Sequence, residues 1–289
     1  MTLLLSRELN ARLAYLSESD KDFWSFKGNA KREHGHGLFQ YPAMMVPQMV
    51  RAILDEISAV YTNIRTIGDP FMGSGTVMTE AMYKGWNFIG YDINPLAVLL
   101  CEIKKGPFFL DALEEKIIEL KERILFDKSY RIEIDFPGRN KWFRKDVQKA
   151  LSKIKRSIQQ DTSLWARKFF WIALAETVRM TSNSRTTTFK LHTRTTNDIE
   201  TRDFDPVAIF KTAIDRNYNH LKGQTNQLKN DGHITRGFYN GNININLEDT
   251  CNVIHNTSQC DLIFTSPPYG DNATTVPYGQ YSYLPLHWI

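Results

Sequence analysis

The tetrapeptide Ser266-Pro267-Pro268-Tyr269 combines residue types that can hold and polarise a polar substrate. Each proline fixes its φ angle and lacks a backbone N–H, so the segment should be a stiff loop whose carbonyl oxygens face outward. The Ser266 hydroxyl and the Pro267 carbonyl can accept hydrogen bonds, and the Tyr269 ring can stack on a planar group. The apolar run at 261–265 predicts a buried strand that leads into this loop.

A second stretch with the composition of a ligand site is the glycine-containing turn at 69–76, with the sequence DPFMGSGT. A strand is predicted just before it and a helix just after it, which is the order that opens nucleotide-binding α/β units. Gly73 and Gly75 lack a Cβ atom, so the backbone can turn tightly and approach a ligand closely. Asp69 ends the strand, where ligands bind in open α/β sheets.

An acidic residue follows the turn at a suitable distance. Residues 86–92 predict a second strand that ends in Asp92, 17 residues beyond Gly75. An acid about 20 residues past such glycines accepts hydrogen bonds from ribose hydroxyls. Asp92 could instead cap the helix that Asn94 and Pro95 open, and the two roles are compatible. We favour ribose binding because the glycine turn precedes it.

Together, the glycine turn and the Ser-Pro-Pro-Tyr loop resemble the amino-methyltransferases of DNA. These enzymes transfer a methyl group from S-adenosylmethionine to an exocyclic base nitrogen. The resemblance covers 39–105 and 235–271, and the middle of the chain only in general character. It implies an α/β fold, a Rossmann-like class I methyltransferase sheet with a helical insertion, and S-adenosylmethionine as the cofactor.

The resemblance also implies which residues contact the cofactor. An aromatic-proline pair before a helix packs on the methionine end, and Ile93 would lie beside the adenine. Asn242 stands where an acid commonly holds the adenine amino group, although Asp249 could be that acid instead. The implied cofactor residues are Tyr41, Pro42, Asp69, Pro70, Phe71, Gly73, Gly75, Thr76, Asp92, Ile93 and Asn242.

The implied chemistry starts from a poor nucleophile, because the lone pair of an exocyclic amine is delocalised into the base. Acceptors on the amine protons, here Ser266 and the Pro267 carbonyl, would free that pair for in-line attack on the sulfonium methyl. Tyr269 would stack on a base flipped out of the duplex. The implied catalytic residues are thus Ser266, Pro267, Pro268 and Tyr269. Serine at the first loop position resembles cytosine-N4 enzymes more than adenine-N6 enzymes, and the absence of a Pro-Cys pair disfavours carbon-5 methylation.

Charge is unevenly distributed along the chain. The net charge is +4, but residues 139–202 hold fifteen Lys and Arg against five Asp and Glu, a local balance of +10. Such a basic segment predicts a polyanionic partner, and double-stranded DNA fits the motifs, while a solvated helix face is the alternative. The predicted DNA-binding residues are Lys141, Arg144, Lys145, Lys149, Arg185 and Lys190.

The organisation predicted from these motifs has three parts. Residues 1–105 hold an N-terminal segment and the cofactor-binding half of a methyltransferase domain, and 234–289 hold its catalytic loop. Residues 106–233 interrupt the α/β pattern and are too long for a plain loop. Apolar spacing there predicts four helices, around 113–124, 147–158, 164–180 and 207–221, as a helical insertion for target recognition.

The end of the sheet is the main departure from the family pattern. Only 21 residues follow Pro268, and strands five to seven with their helices need roughly 60–100 residues. We therefore expect the C-terminal strands to be missing from this chain and to be supplied by a second polypeptide or by self-association. A fragment of a longer protein and an unexpected closure of the fold are the alternatives.

Other classes of protein are less compatible with the sequence. Cys101, Cys251 and Cys260 lack metal spacing, His34 and His36 suit a flexible turn better than a metal site, and no apolar run could span a membrane. We expect a cytoplasmic protein without metal. An RNA or protein amide methyltransferase, or a non-catalytic, partner-dependent subunit, remains possible. A nicotinamide dehydrogenase is disfavoured because position 78 lacks the required third glycine.

Overall fold

A computed structural model describes residues 2–26, 32–252, 260–267 and 277–289 of the chain. The strands are β1 (Thr66–Asp69), β2 (Asn87–Asp92), β3 (Ile234–Thr235), β4 (Phe238–Tyr239), β5 (Ile243–Leu247) and β6 (Leu262–Ile263). The helices are α1 (Thr2–Ser19), α2 (Pro47–Val60), α3 (Thr76–Tyr83), α4 (Pro95–Lys104), α5 (Leu110–Phe126), α6 (Arg139–Trp142), α7 (Lys145–Gln159), α8 (Leu164–Thr181), α9 (Thr196–Thr201), α10 (Pro206–Asn230) and α11 (Tyr278–Trp288).

The central sheet has four strands in the order β5-β2-β1-β6, and every pair is parallel. Asp69 of β1 aligns with Gly90 of β2, while Asp92 of β2 aligns with Leu247 of β5. The carboxyl ends of the strands therefore meet at one edge. The mixed α/β architecture with a parallel sheet agrees with a Rossmann-like methyltransferase, and the glycine turn and both predicted strands beside it are confirmed.

Helices α5 to α10 follow each other between α4 and the β3–β4 hairpin, and the four predicted helices are among them. Val147, Leu151, Ile154 and Ile158 of α7 are fully buried because apolar residues three and four positions apart share one helix face. Burying each such side chain contributes about 1.5–3 kcal/mol. Helix α8 packs against α7, α10, α4 and α11. The helical segment thus shares one apolar core with the sheet region.

Several local expectations are corrected by the structure. Residues 234–239 form a separate antiparallel hairpin, and the next strand of the main sheet is β5. The strand before the Ser-Pro-Pro-Tyr loop is not buried, since β6 lies at an edge of the sheet and Ile263 is 51% exposed. The Tyr/Pro-rich C-terminal segment forms the 11-residue helix α11, for which the sequence predicted no element.

The N-terminal region also departs from expectation. Helix α1 covers residues that carry only a weak apolar pattern. The segment His34–Gly37 is a 3-10 turn in which His36 is only 2% exposed, so it is not a flexible turn. Within the described residues, no cluster of three or more His, Cys, Asp or Glu could hold a metal ion. No described helix is both long and apolar enough to cross a membrane.

Candidate active site

The carboxyl edge of the sheet opens into a cavity of about 740 Å³. Its wall is formed by the segment before α2, the glycine turn, the end of β2, the segment after β5, the loop after β6 and the start of α11. Nine residues predicted from the sequence lie in this wall, namely Tyr41, Pro42, Pro70, Phe71, Gly73, Thr76, Asp92, Ile93 and Ser266. Residues that are far apart in the sequence are thus brought around one space of the size of a cofactor site.

The glycine turn has a backbone that requires glycine. Gly73 and Gly75 have φ angles of +49° and +72°, in the left-handed region. A Cβ atom on Gly75 would lie 2.7 Å from the Cys101 Sγ, whereas one on Gly73 would have its nearest neighbour, Tyr41, at 3.7 Å. Gly73 therefore faces the cavity, and Gly75 serves the close packing of the turn against α4.

Asp92 connects the end of β2 to the glycine turn. Its Oδ2 accepts a hydrogen bond from the Gly73 N–H at 2.9 Å and its Oδ1 accepts one from the Asn94 N–H at 2.8 Å. Burial raises the pKa of Asp92, and these two N–H donors oppose the rise. Each carboxylate oxygen retains a lone pair for a further donor, so ribose hydroxyls could bind while the turn stays tethered.

Replacing Asp92 with alanine should weaken S-adenosylmethionine binding by about 1–3 kcal/mol, because the ribose hydroxyls and two backbone donors lose their acceptor. Titration calorimetry of the free cofactor measures this directly. Glu248→Ala is the matched control, since that carboxylate is exposed one residue beyond β5 and outside the cavity wall. Equal affinity in Asp92→Ala and wild type would remove Asp92 from the ribose site.

Two apolar side chains in the wall are unusually accessible. Ile93 is 71% exposed and Phe71 is 37% exposed, although both follow the ends of core strands. Exposed apolar side chains that line a concave site are typical of binding surfaces for planar ligands. Contact of Ile93 with an adenine ring stays a prediction.

Asp69 lies behind the wall and joins the glycine turn to the segment that leads into the Ser-Pro-Pro-Tyr loop. The Oδ1 atom accepts hydrogen bonds from the Phe71 N–H at 3.0 Å and from the Thr265 hydroxyl at 2.7 Å. The Oδ2 atom is buried and has no hydrogen-bond partner among the described residues. Burial raises the pKa of Asp69 to about 7, and the charge of Asp92 adds to the rise. The Asp69 side chain, predicted to contact the cofactor, thus lies outside the wall and instead holds the two segments together by hydrogen bonds.

The Ser-Pro-Pro-Tyr loop begins directly beside this carboxyl group. The Phe264 N–H donates to the Gly68 carbonyl at 2.9 Å, which continues the pairing of β6 with β1. Ser266 then enters the cavity wall half-buried, and Pro267 is exposed. Pro268 and Tyr269 lie outside the described residues.

Helix α11 closes the cavity, a feature that sequence reasoning missed. The Asn94 side-chain amide donates to the Tyr41 hydroxyl at 2.9 Å and to the Ser282 hydroxyl at 2.6 Å. The rings of Tyr41 and Tyr278 are stacked with centroids 6.1 Å apart. The only sequence signal was the spacing of Tyr278, Tyr281 and Ser282, which places three hydrogen-bonding side chains on one helical face.

The structure also bears on which residue could hold the adenine amino group. Asn242 precedes the amino end of β5, where its N–H donates to the Asn87 side chain at 2.8 Å. The strand then runs five residues, about 16 Å at ~3.3 Å per residue, before it reaches the cavity edge. Asp249 lines the cavity. Asp249, the alternative left open by the sequence, is therefore the better placed acceptor for an adenine amino group.

The predicted DNA-binding residues fall into two groups. Lys141 and Lys145 are exposed on α6 and at the start of α7, and Lys149 lies one turn further along α7, where its Nζ is 5.3 Å from the centroid of the Tyr130 ring. Arg144 instead donates to the carbonyls of Ile199 at 3.0 Å and Arg202 at 2.8 Å and pairs with Asp146. Its guanidinium is therefore occupied within the protein and stabilises the chain that leads from α9 to α10.

Arg185 and Lys190 lie in the loop between α8 and α9. Both line a small hollow together with Arg179 and Tyr281. The Leu191 N–H of the same loop donates to the Gln280 side chain at 3.1 Å, and Gln280 also lines the cofactor-sized cavity. The basic loop and the cavity are thus connected through α11.

The geometry defines the class of protein first. The carboxyl edge of the parallel sheet carries three features: a glycine turn, an acid at the end of the next strand and a polar loop that contains prolines. This arrangement is expected of a nucleotide-type cofactor site next to a second substrate. Comparison with known proteins then narrows this class. A family model for N6 and N4 methyltransferases, described as DNA methylase, matches residues 10–102.

Two curated proteins are similar to the chain. It is 31% identical over 294 residues to the type II methyltransferase M.MvaI of Kocuria varians, covering 99% of this chain and 62% of that protein. It is 27% identical over 166 residues to the type II methyltransferase M.MjaII of Methanocaldococcus jannaschii, covering 54% of this chain and 30% of that protein. No solved structure gives a significant match.

These matches confirm the resemblance to the amino-methyltransferases of DNA, a family that uses S-adenosylmethionine. The chain spans less than two thirds of the length of either relative. What the whole protein acts on is therefore a matter for proposal.

Proposed function

We propose that the chain carries the active site of a DNA methyltransferase, which moves a methyl group from S-adenosylmethionine to an exocyclic base amine. The proposed target is cytosine N4 in preference to adenine N6, and the proposed setting is a restriction-modification system. The observation that carries the proposal is the presence of Ser266 in the same cavity wall as the glycine turn and Asp92. A cofactor bound at the glycine turn would then lie opposite the Ser266 hydroxyl. The oxygen of this hydroxyl can accept a hydrogen bond from an N–H of the target amine.

The proposed division of labour follows the sequence organisation. Residues 1–105 and 234–289 would bind the cofactor and hold the amine, while 106–233 would recognise the target DNA. In the cavity, Asp92 would hold the ribose, Ile93 and Phe71 would contact the adenine, and Tyr41 would pack on the methionine end. Ser266 and the Pro267 carbonyl would accept from the amine, and Tyr269 would stack on the flipped base.

The substrate class can be tested by comparing methyl transfer to DNA, RNA and protein. Purified protein is given methyl-labelled S-adenosylmethionine with duplex DNA, RNA and a protein mixture in parallel. Label in DNA alone supports the proposal. Label in RNA or protein would favour the alternative of a different amide or base substrate, and cofactor binding without transfer would favour a partner-dependent subunit.

The affinity for DNA of the basic segment at 139–202 should decrease steeply as the salt concentration rises, because neutralised phosphates release counterions. Lys145→Ala and Lys149→Ala should each lower the slope of log K against log salt by about 0.9. Fluorescence anisotropy of a labelled duplex at several salt concentrations measures the slope. Lys229→Ala, an exposed lysine at the end of α10, is the control and should leave it unchanged. A double variant with the wild-type slope would identify a solvated helix face instead.

The remaining proposal concerns the outer side of strand β6. In the described part of the chain, β6 has β1 as its neighbour on one side, and an unpaired strand edge is usually covered. We propose that a further strand pairs with β6. The comparisons give no support for a second polypeptide. Light scattering on the purified chain tests self-association, since a monodisperse, active monomer would exclude it.

A further inference from the structure

A group of buried charged side chains lies behind the glycine turn, outside the cavity wall. Glu80 of α3 is 1% exposed and accepts from Arg51 of α2 at 2.8 Å. Its other oxygen lies 2.9 Å from the Nε2 of His36 in the 3-10 turn. Lys104, the last residue of α4, is also 1% exposed. Glu80 thus has two polar side-chain partners, whereas the ammonium of Lys104 is directed to the backbone of the turn.

Lys104 and Cys101 of α4 hold two successive carbonyls of the turn. The Lys104 Nζ donates to the Ser74 carbonyl at 2.6 Å, and the Cys101 thiol donates to the Gly73 carbonyl at 3.5 Å. In a planar trans peptide the N–H points opposite to the C=O. Drawing the Gly73 carbonyl towards α4 therefore turns the Ser74 N–H away from α4, towards the side on which Gly73 and Ser74 line the cavity.

The charge on Lys104 is costly where it lies. A buried ammonium loses its hydration, and a single carbonyl replaces only part of it. Burial lowers the pKa of Lys104 to about 8, while Cys101 and Glu80 oppose the decrease. An apolar side chain such as methionine would fill the same space without this cost. Packing alone therefore does not account for a lysine at this position.

We propose that Lys104 is a positioning residue for S-adenosylmethionine, whose ammonium fixes the Ser74 carbonyl and so holds the glycine turn in its cofactor-binding conformation. The inference rests on the proposed function, because it takes the cavity as the cofactor site. The backbone carbonyl of Lys104 accepts from the Gln224 side chain of α10 at 2.7 Å, so the helical segment helps to fix α4 at this point.

The variant Lys104→Met separates positioning from packing. It should raise the Kd for S-adenosylmethionine about tenfold, the effect of roughly one lost charged hydrogen bond, while the melting temperature of the free protein stays the same or rises by about 2–4 °C as an uncompensated charge is removed. Lys105→Met is the matched control. Lys105 is half-buried next in sequence but pairs with Glu102 at 2.6 Å, so its loss should leave the Kd within twofold of wild type.

The pH profile of binding gives a readout that a purely structural role would not change. Wild-type affinity should decrease as the pH rises through about 8, where Lys104 loses its proton. The profile of Lys104→Met should lack this component, and subtracting the two profiles removes any titration of the cofactor itself. Of the groups around the ammonium, His36 and Glu80 have lowered pKa values, Arg51 has a raised one, and the pKa of Cys101 is raised to about 12, so none of them titrates near 8. Asp69, on the other side of the glycine turn, has its pKa raised to about 7 by burial, but it is present in both proteins, so the subtraction removes its contribution as well.

Calorimetry and thermal unfolding decide between the outcomes. Weaker binding with an unchanged or higher melting temperature supports the positioning role. A wild-type Kd in Lys104→Met, weaker binding accompanied by a lower melting temperature, or identical pH profiles would overturn it. If the wild-type chain itself does not bind S-adenosylmethionine, the proposed function fails rather than the role of Lys104.

Discussion

Replacing Ser266 with alanine is expected to lower the rate of methyl transfer to duplex DNA about 10²–10³-fold, the range seen when one polar group that stabilises a transition state is removed. The amine nitrogen becomes positively charged as it attacks the methyl group, so an acceptor on its protons matters most at that moment. S-adenosylmethionine affinity should change little, because in the proposed arrangement the hydroxyl would meet the base rather than the cofactor. Single-turnover transfer and calorimetry measure the two quantities separately.

Tyr269→Ala should impair methyl transfer and leave cofactor binding close to wild type, because the tyrosine ring would stack on the flipped base.

Ser58→Ala is the control for Ser266→Ala, since it removes a hydroxyl of α2 that donates to the Asp55 carbonyl outside the cavity. A Ser266→Ala variant with full transfer activity, or one that loses cofactor binding in parallel, would remove the hydroxyl from the amine site.

Asp69→Asn is expected to raise the free energy of unfolding at pH 8.5 by about 4 kcal/mol, the equivalent of the shift of its pKa from 3.8 to about 7. Folding raises this pKa, so the unfolded chain loses the proton first. Between about pH 4 and 7 the folded state therefore binds more protons, and wild-type stability falls as the pH rises. An amide resembles the protonated acid and can still accept from Phe71 and Thr265.

Urea unfolding of wild type and Asp69→Asn at pH 5 and pH 8.5 tests this dependence. The difference between the two proteins at pH 5 should be less than half of its value at pH 8.5. Asp203→Asn, which replaces an exposed carboxylate, should stay within about 0.5 kcal/mol of wild type at both values. A difference for Asp69→Asn that does not depend on pH would show that ionisation of this carboxyl is not what destabilises the fold.

Local signals in the sequence identified the parts of the site that local geometry determines. Gly73 and Gly75 are required by a left-handed backbone, and the apolar stripes of α5, α7, α8 and α10 follow from helical periodicity. The acid at the end of β2 was predicted from its spacing alone. These features depend on neighbours within about one turn or one strand, so a single sequence carries them.

The features that were missed depend on partners distant in the sequence. Helix α11 contains Pro285 and tyrosines that suggest a loop, yet Leu284 and Trp288 are buried in the core and stabilise it. His36 has polar composition around it, but its partner Glu80 lies 44 residues away. Strand β5 alternates isoleucine and asparagine at an edge of the sheet, so its pattern is weaker than that of a central strand. The conformations of α11, of the turn around His36 and of β5 therefore depend on tertiary contacts.

The most direct test of the central claim is the identity of the methylated product. Purified protein is incubated with S-adenosylmethionine labelled in the methyl group and with unmodified duplex DNA, which is then digested and separated into nucleosides. The expected result is label in a nucleoside methylated on its exocyclic amine, with N4-methyldeoxycytidine ahead of N6-methyldeoxyadenosine, and little label with Ser266→Ala. Label in 5-methyldeoxycytidine, or unlabelled DNA despite bound cofactor, would contradict it.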